Sequence, residues 1–251
     1  MERTAYAVEA QVEADHWWFV GRRRLMSRLL GRLGISPVGR VLDIGTGTGS
    51  NLRMLQELGF ADVTGLDNSE EARRFCHEKG LGPVERGDAC ALPFPAASFN
   101  LVLATDIIEH VGDDVGALRE IRRVLKADGK GVITVPALTS LWGLQDDVSH
   151  HKRRYRKAEL LATIAEAGLR AEETFYFNYL LFAPIWVGRK LIRLFDVSIE
   201  SENQLNTPIL NRLLTGIFTF DVLTAPLVSP PFGVSILTVV RPKAGQPEGG
   251  C

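Results

Sequence analysis

Apolar and polar positions alternate with two different periods between residues 39 and 135. Five short apolar runs predict strands, at 40–45, 62–67, 83–88, 99–105 and 131–135. Three segments of helical periodicity lie between them and predict helices, at 50–58, 68–79 and 114–125. The last of these helices is predicted to end at Ala127-Asp128-Gly129. Strands separated by helices in this way predict right-handed crossovers and a mainly parallel sheet.

The second half of the chain is more apolar and less regular. Its pattern predicts a helix at 157–167 and two more strands, at 171–177 and 234–240. About 55 residues separate those two strands, which is too long for a structureless loop in a compact domain. We therefore expect a helical insertion at 179–232, with helices near 179–195 and 208–220.

Composition adds limits but little chemistry. The 251 residues are 45% hydrophobic, which excludes a wholly disordered chain, and the formal net charge is -1. That near-neutral balance disfavours a protein that coats nucleic acid. The three cysteines indicate no disulfide framework, and the charged N-terminal stretch resembles no signal peptide, so we expect a cytoplasmic protein. The uncharged stretches at 174–188 and 222–240 are too short, or too interrupted by proline, to cross a bilayer.

A glycine-rich turn follows the first predicted strand. The sequence Val41-Leu42-Asp43-Ile44-Gly45-Thr46-Gly47-Thr48-Gly49 delivers three alternate glycines into a helix start, where the backbone can turn sharply and approach a ligand. The third glycine does not fit the G-x-G-x-x-G pattern of dinucleotide sites. Asp43 would repel a pyrophosphate and favours a ligand that carries an amino group or a positive charge.

Here the chain resembles the class I S-adenosylmethionine-dependent methyltransferases, in particular the methyltransferase-11 and ubiquinone-type O-methyltransferase group. The resemblance covers residues 39–136 well and the remainder loosely. It implies an α/β, Rossmann-like fold: a seven-stranded, mainly parallel sheet with helices on both faces, and the helical insertion between the last two strands. It also implies three parts: an N-terminal helical cover (1–38), the methyltransferase domain (39–242) and a disordered tail (243–251).

The same resemblance assigns the cofactor residues for S-adenosylmethionine. Asp43 would face the methionyl ammonium, while Asp67, about 20 residues beyond the glycines, would bind the ribose hydroxyls. Asn68 would lie beside the adenine, and Asp88 would accept a hydrogen bond from its amino group. The remaining expected contacts are the glycine turn, the third loop, the end of the fourth strand and the N-terminal helix: Gly45, Thr46, Gly47, Gly49, Ala89, Thr105, Trp18 and Arg22.

Methyl transfer needs a base only when the acceptor must lose a proton. The candidate catalytic residues are His110, His150 and Asp146, with His151 and Asp147 as neighbouring candidates.

Asp106-x-x-Glu109-His110 resembles the Glu-x-x-Glu-His element that holds a divalent metal in ubiquinone-type and small-RNA methyltransferases, and a histidine at 150 or 151 would complete that site. Two carboxylates and an imidazole suit Mg or Mn. Alternatively, the triplet at 109–111 ends the strand and holds no metal, which is the interpretation we favour at this stage.

The acceptor is expected near the segment that follows the fifth strand. Trp142, Arg154 and Tyr155 are the predicted substrate-binding residues, within a run of basic residues at 150–157 that could pair with a phosphate or carboxylate. A solvated helix start is the alternative for the end of that run. A second basic patch follows Trp18, and five arginines between 22 and 32 could also face RNA or anionic lipid.

Three interpretations of the apolar insertion stay open: a cap over a hydrophobic acceptor, a dimer face, or a peripheral membrane contact, which Arg189, Lys190 and Arg193 favour slightly. The sequence predicts a methyltransferase for a small-molecule, lipid-linked or glycan acceptor with an anionic group. The alternatives are an RNA methyltransferase, which the charge balance disfavours, and a non-catalytic partner subunit that binds S-adenosylmethionine.

Overall fold

A computed structural model describes residues 3–194 and 207–243. The strands are β1 (Val41–Ile44), β2 (Val63–Leu66), β3 (Val84–Glu85), β4 (Phe99–Thr105), β5 (Leu125–Pro136), β6 (Leu169–Phe177) and β7 (Ser235–Pro242). The helices are α1 (Arg3–Val12), α2 (Trp17–Leu33), α3 (Ser50–Glu57), α4 (Glu70–Glu78), α5 (Asp114–Val124), α6 (Leu144–Val148), α7 (Lys157–Glu166), α8 (Phe182–Leu194) and α9 (Pro208–Val228). The predicted tail lies outside the described residues from 244 onward.

The seven strands form one sheet in the order β3-β2-β1-β4-β5-β7-β6. The first five pair in parallel, and β7 is antiparallel to both β5 and β6. The chain reverses its strand order between β1 and β4, so the carboxyl ends of these strands flank a crevice, which is where ligands bind in sheets of this kind. The fold class predicted from the sequence is confirmed.

The core lies in two layers because successive strand residues face opposite sides of the sheet. Leu42 of β1 packs with α5 and α7 on one side, and Val41 packs with α2, α3 and α9 on the other. The helices thus cover both faces. The end of α2 is fixed by Gly34 in the left-handed region, with φ of 63°.

The boundary between α5 and β5 differs from its prediction. The helix ends at Val124, and β5 begins directly at Leu125 instead of near 131. Leu125 pairs with Phe99, but Leu101 pairs with Lys130, so the register shifts between these two pairs. The turn-forming residues 127–129 therefore lie within β5, at its register shift against β4. The sequence pattern had predicted that they end helix α5.

The N-terminal segment forms two helices, which the sequence did not separate. His16 caps α2 by accepting a hydrogen bond from the backbone N–H of Trp18. Helix α2 packs along α9, and Gly21 lies against the ring of Phe218. Helix α9 was predicted to end near 220 but continues to Val228. The N-terminal segment and the insertion are thereby joined on one face of the sheet.

Candidate functional site

A cavity of about 790 Å³ opens at the carboxyl ends of β1, β2 and β4. The described residues that line it come from α1, α2, the strand ends, the segment after β5 and both insertion helices. Most of the predicted cofactor residues are among them: Trp18, Arg22, Gly45, Thr46, Gly47, Asp67, Asn68, Asp88, Ala89 and Thr105. Of the predicted catalytic and substrate residues, only His110 and Arg154 line this cavity.

The glycine turn after β1 forms one wall. Gly45 and Gly47 have φ of 72° and 56°, in the left-handed region that glycine adopts at little cost. A Cβ atom at Gly45 would overlap the side chain of Ile107, so this position also needs the absence of a side chain. The backbone can therefore approach a ligand closely at this point.

Asp67 connects the end of β2 to that turn. Its Oδ2 accepts a hydrogen bond from the N–H of Gly47 at 2.9 Å, and its Oδ1 accepts one from the N–H of Ser69 at 2.8 Å. Burial raises the pKa of this carboxyl above its usual range, although both backbone donors oppose that rise. The side chain is held rigidly at the edge of the cavity, where a polar ligand can reach it.

The structure corrects the expected position of Asp43. The side chain is fully buried and does not line the cavity. Its Oδ1 accepts from Nδ2 of Asn51 at 2.9 Å, and that amide also donates to Thr105 Oγ1 at 2.9 Å. Burial raises the pKa of Asp43 to about 7. Asn51 and Thr105, not Asp43, form the cavity surface here. Gly49 is likewise behind the wall, at the start of α3.

The N-terminal helices α1 and α2 close the cavity beside the glycine turn. Arg22 of α2 donates from Nη1 to Asp106 Oδ2 at 2.6 Å, and Asp106 Oδ1 accepts from Thr134 Oγ1 at 3.0 Å. Lys79, directly after α4, forms an ion pair with the buried Glu13 at 2.6 Å. These contacts fasten α1 and α2 to the domain and place the Arg22 guanidinium at the cavity wall.

Asp146 of α6 is buried behind the cavity, and its carboxylate is surrounded by groups of the protein itself. It accepts from Arg154 Nε at 2.7 Å and from the N–H of Gly143 at 2.8 Å, and lies 2.8 Å from His151 Nδ1. Burial alone would raise its pKa, but the hydrogen bonds from His151 and Arg154 outweigh it and lower the pKa to about 2. Asp146 therefore does not line the cavity, and its carboxylate oxygens are held by groups of the protein itself.

Glu109, His110 and His151 form a cluster of possible metal ligands at the cavity wall after β4. Their ligand atoms all lie within 4.8 Å of one another, and all three residues line the cavity. Glu109 is fully buried, and neither of its carboxylate oxygens has a hydrogen-bond partner among residues 3–194 and 207–243. Burial raises its pKa well above the usual range, while burial lowers the pKa of His110 to about 4.

Three predicted residues lie elsewhere. His150 is exposed, with φ of 56°, and its neighbour His151 occupies the cavity instead. Tyr155 is buried and donates its hydroxyl to Asp114 Oδ2 at 2.8 Å, which orients the loop before α7. Trp142 donates from Nε1 to Asp147 at the protein surface. The structure therefore does not bring these three side chains into the cavity.

Asn178 and Arg189 also line the cavity, although the sequence did not indicate either of them as a site residue. Asn178 follows β6 with its backbone in the left-handed region and is fully buried. Neither polar atom of its side-chain amide has a hydrogen-bond partner in the part of the chain that the structure describes. Asp221 of α9 fixes its backbone, accepting from the N–H groups of Asn178 and Leu180 at 2.7 and 2.8 Å. Arg189 of α8 donates to the carbonyl of Leu141 and lies 3.6 Å from Asp146. The one signal in the sequence that could have indicated Arg189 is the position of a charged residue within an apolar helix.

Comparison with known proteins agrees with this geometry. Residues 42–133 match the family model described as a methyltransferase domain. Cycloartenol-C-24-methyltransferase 1 of Oryza sativa subsp. japonica is 36% identical over 102 residues, covering 38% of this chain and 30% of that protein. The 27-O-demethylrifamycin SV methyltransferase of Amycolatopsis mediterranei is 32% identical over 114 residues, covering 43% and 42%. The chain thus spans about a third of the length of such relatives.

A solved structure extends the likeness to the whole fold. A chain of the complex between the Haloferax volcanii Trm112 methyltransferase activator and a methyltransferase superposes with a TM-score of 0.64 at 22% identity, covering 95% of this chain and 94% of that one. At this identity the likeness concerns the fold alone. The chain therefore contains a segment, residues 42–133, that matches the methyltransferase-domain family model, within a fold that it shares with this solved structure.

Proposed function

We propose that the protein is an S-adenosylmethionine-dependent methyltransferase for a small-molecule, lipid-linked or glycan acceptor that carries an anionic group. One observation carries the proposal. A single cavity of about 790 Å³ joins the glycine turn and strand-end acids of the family to a second wall made by the insertion helices. This volume is near the upper end of the ~300–1,000 Å³ typical of ligand sites, which suits a cofactor together with an acceptor group.

The cofactor half of the cavity supplies complementary groups in the expected order. Asp67 would bind the ribose hydroxyls, and Asn68 would lie beside the adenine. Asp88 accepts from the N–H of Cys90 through Oδ1, which fixes the carboxylate that would accept from the adenine amino group. Arg22 would exchange Asp106 for the methionyl carboxylate, because both are carboxylate partners for the same guanidinium.

When bound, S-adenosylmethionine supplies a methyl group on a sulfonium leaving group, so alignment with the acceptor provides much of the rate. The chain contributes position and a hydrogen-bond acceptor. The imidazole of His110 lines the cavity, where it can accept a hydrogen bond from a hydroxyl acceptor. Burial lowers the pKa of His110 to about 4, so the imidazole is neutral near pH 7 and is a weaker base than an exposed histidine.

The acceptor half favours an anionic, partly apolar molecule. Two guanidinium groups, of Arg154 and Arg189, flank the carboxylate of Asp146 at this wall, and guanidinium groups are suited to pair with a phosphate or carboxylate of the acceptor. Apolar side chains of α8 and α9, including Ile185 and Leu214, surround these charges. The side-chain amide of Asn178, which has no partner among the described residues, offers N–H donors and an accepting oxygen to the same molecule. The relatives' names include both C- and O-methyltransferases, so they do not select the acceptor atom.

Cofactor binding can be measured without knowing the acceptor. Calorimetry should detect one S-adenosylmethionine per chain. Asp67→Ala should weaken binding at least about tenfold, since it removes charge-assisted hydrogen bonds. Asp62→Ala is a matched control, because that carboxyl is exposed at the edge of the same strand. Absence of cofactor binding to the wild-type protein would refute the proposal.

Turnover separates the proposed enzyme from its alternatives. Incubation with S-adenosylmethionine and a metabolite extract should release S-adenosylhomocysteine and label an organic-soluble or anionic small molecule. If turnover disappears after ribonuclease treatment of the extract, the acceptor is RNA. If the protein binds the cofactor but converts it with no fraction, the non-catalytic subunit is the better interpretation.

We also propose that Glu109, His110 and His151 can hold a divalent cation. The two buried carboxylate oxygens that lack partners support this, because one carboxylate and two imidazoles are common ligands of Mn and Zn. Bound metal would act as a Lewis acid on an acceptor oxygen, and His110 would then be one of its ligands instead of accepting from the acceptor hydroxyl. Titration with Mn or Zn, followed by calorimetry and by thermal unfolding, should show a site that Glu109→Gln removes and Glu166→Gln, at the surface, retains. Equal binding by both variants would exclude this site.

A further inference from the structure

Exposed apolar side chains are concentrated on the insertion. Of the fourteen large apolar residues exposed within 3–194 and 207–243, twelve lie between Leu180 and Phe232. The other two are Val38 and Leu58. Single exposed apolar residues are ordinary, but a concentration on two helices that line the same cavity is typical of an interaction surface.

The exposed residues form stripes on both helices. On α9, Ile209, Leu213, Phe220 and Leu227 are spaced by four, seven and seven residues, which places them along one side of the helix. They are 83%, 59%, 59% and 83% exposed. The opposite side of α9, with Phe218 and Val222, is buried in the core. The outward side of this helix is therefore as apolar as its inward side.

Helix α8 has the same two-sided character. Ile185 and Ile192 face the cavity, whereas Trp186, Leu191 and Leu194 are exposed. A helix that is apolar on all sides is normally buried on all sides. No helix among the described residues is long and apolar enough to span a membrane. The outward surface therefore fits a partner that covers it from one side.

The charges around the stripes are basic. Lys190 lies over the ring of Trp186 at 5.8 Å, and Arg212 is exposed on α9. Arg24 of the neighbouring helix α2 donates to Thr219, next to the stripe. Within 178–194 and 207–233 the single acidic residue is Asp221, which is fully buried against backbone donors. The surface is thus apolar with a cationic border.

We propose that this surface, the outward sides of α8 and α9, docks onto the surface of an anionic membrane. The apolar stripes would enter the boundary between headgroups and acyl chains, and the border would meet the lipid phosphates. A second copy of the chain fits less well. A twofold interface would place the same cations opposite each other, with no described acid on this surface to pair with them. The docking does not depend on the proposed methyl transfer.

Vesicle flotation with the full chain tests the proposal. Wild-type protein should float with vesicles of phosphatidylcholine and phosphatidylglycerol and bind pure phosphatidylcholine much less. Replacing two of the border cations, Lys190→Gln with Arg212→Gln, should weaken binding about 30-fold, since each basic residue near an anionic surface contributes about fivefold. The triple variant Trp186→Ser, Leu191→Ser and Phe220→Ser should abolish flotation.

The control variant removes exposed apolar residues elsewhere. Val38→Ser with Leu58→Ser should bind vesicles as the wild type does, and all variants should keep the wild-type unfolding temperature. Failure of the wild type to bind anionic vesicles would overturn the proposal, as would equal loss in the control variant. Light scattering that shows a wild-type dimer, with the triple variant a monomer, would assign the surface to self-association instead.

Discussion

Because Asp146 is fully buried, replacing it distinguishes a structural role of this carboxylate from a catalytic one. In Asp146→Asn, the Arg154 guanidinium, whose side chain is 4% exposed, loses its carboxylate. Breaking a buried ion pair costs about 3–5 kcal/mol. Arg154 keeps its hydrogen bond to the carbonyl of Ala137, and the new amide still has one accepting oxygen. We therefore expect the lower end, about 3 kcal/mol less free energy of unfolding.

Urea unfolding at pH 7, followed by far-ultraviolet circular dichroism, measures this difference directly. The slope with denaturant should not change, because the surface exposed on unfolding is the same. Asp147→Asn is the matched control: this neighbouring side chain is exposed and accepts from Trp142, and we expect a loss below about 0.5 kcal/mol. If Asp146→Asn keeps wild-type stability but loses all turnover, Asp146 is a catalytic base and the reasoning is refuted.

Three further predictions follow from buried positions. Gly21→Ala places a methyl group against the ring of Phe218, so calorimetric unfolding should show a loss of about 1–3 kcal/mol; an unchanged melting temperature would mean that α2 and α9 are not packed as described. Asp43→Asn should become more stable relative to the wild type as pH rises. The wild-type pKa of Asp43, about 7, lies above that of the unfolded chain, so its contribution is fully present below about pH 4 and is lost by about pH 7, at most about 4 kcal/mol. A constant difference in urea titrations across that range would contradict this. Asn178→Ala should keep the wild-type dissociation constant for S-adenosylmethionine and lose turnover on extract; weakened cofactor binding would instead place its amide at the cofactor.

The sequence predicts the cofactor half better than the acceptor half, for a physical reason. The glycine turn and Asp67 depend on local requirements, namely a left-handed backbone and a carboxylate at a strand end, and both leave marks in the sequence. The acceptor half is assembled from segments far apart in the chain. His151 and Asn178 become neighbours of the cavity only through tertiary packing, so adjacent His150 looked equally suitable.

Burial explains the other differences. Asp43 precedes the glycine turn at the spacing that the sequence pattern requires. Its carboxylate nevertheless lies within the strand and is buried, where it accepts a hydrogen bond from Asn51. Tyr155 and Trp142 belong to a polar and aromatic segment that looked like a binding surface. Their hydrogen bonds to Asp114 and Asp147 are instead what shape the loop. Residue type alone does not distinguish these two uses.

Helix α8 is a wall one helix thick between the cavity and the surroundings. Ile192 faces inward, and Leu191, the adjacent residue, faces outward. If that outward side rests on lipid, an amphiphilic acceptor has only the width of one helix, about 10 Å, to travel from the bilayer to the cavity. The reaction rate would then follow the mole fraction of acceptor in the membrane plane, and diluting the acceptor with inert lipid would slow turnover even at constant bulk concentration.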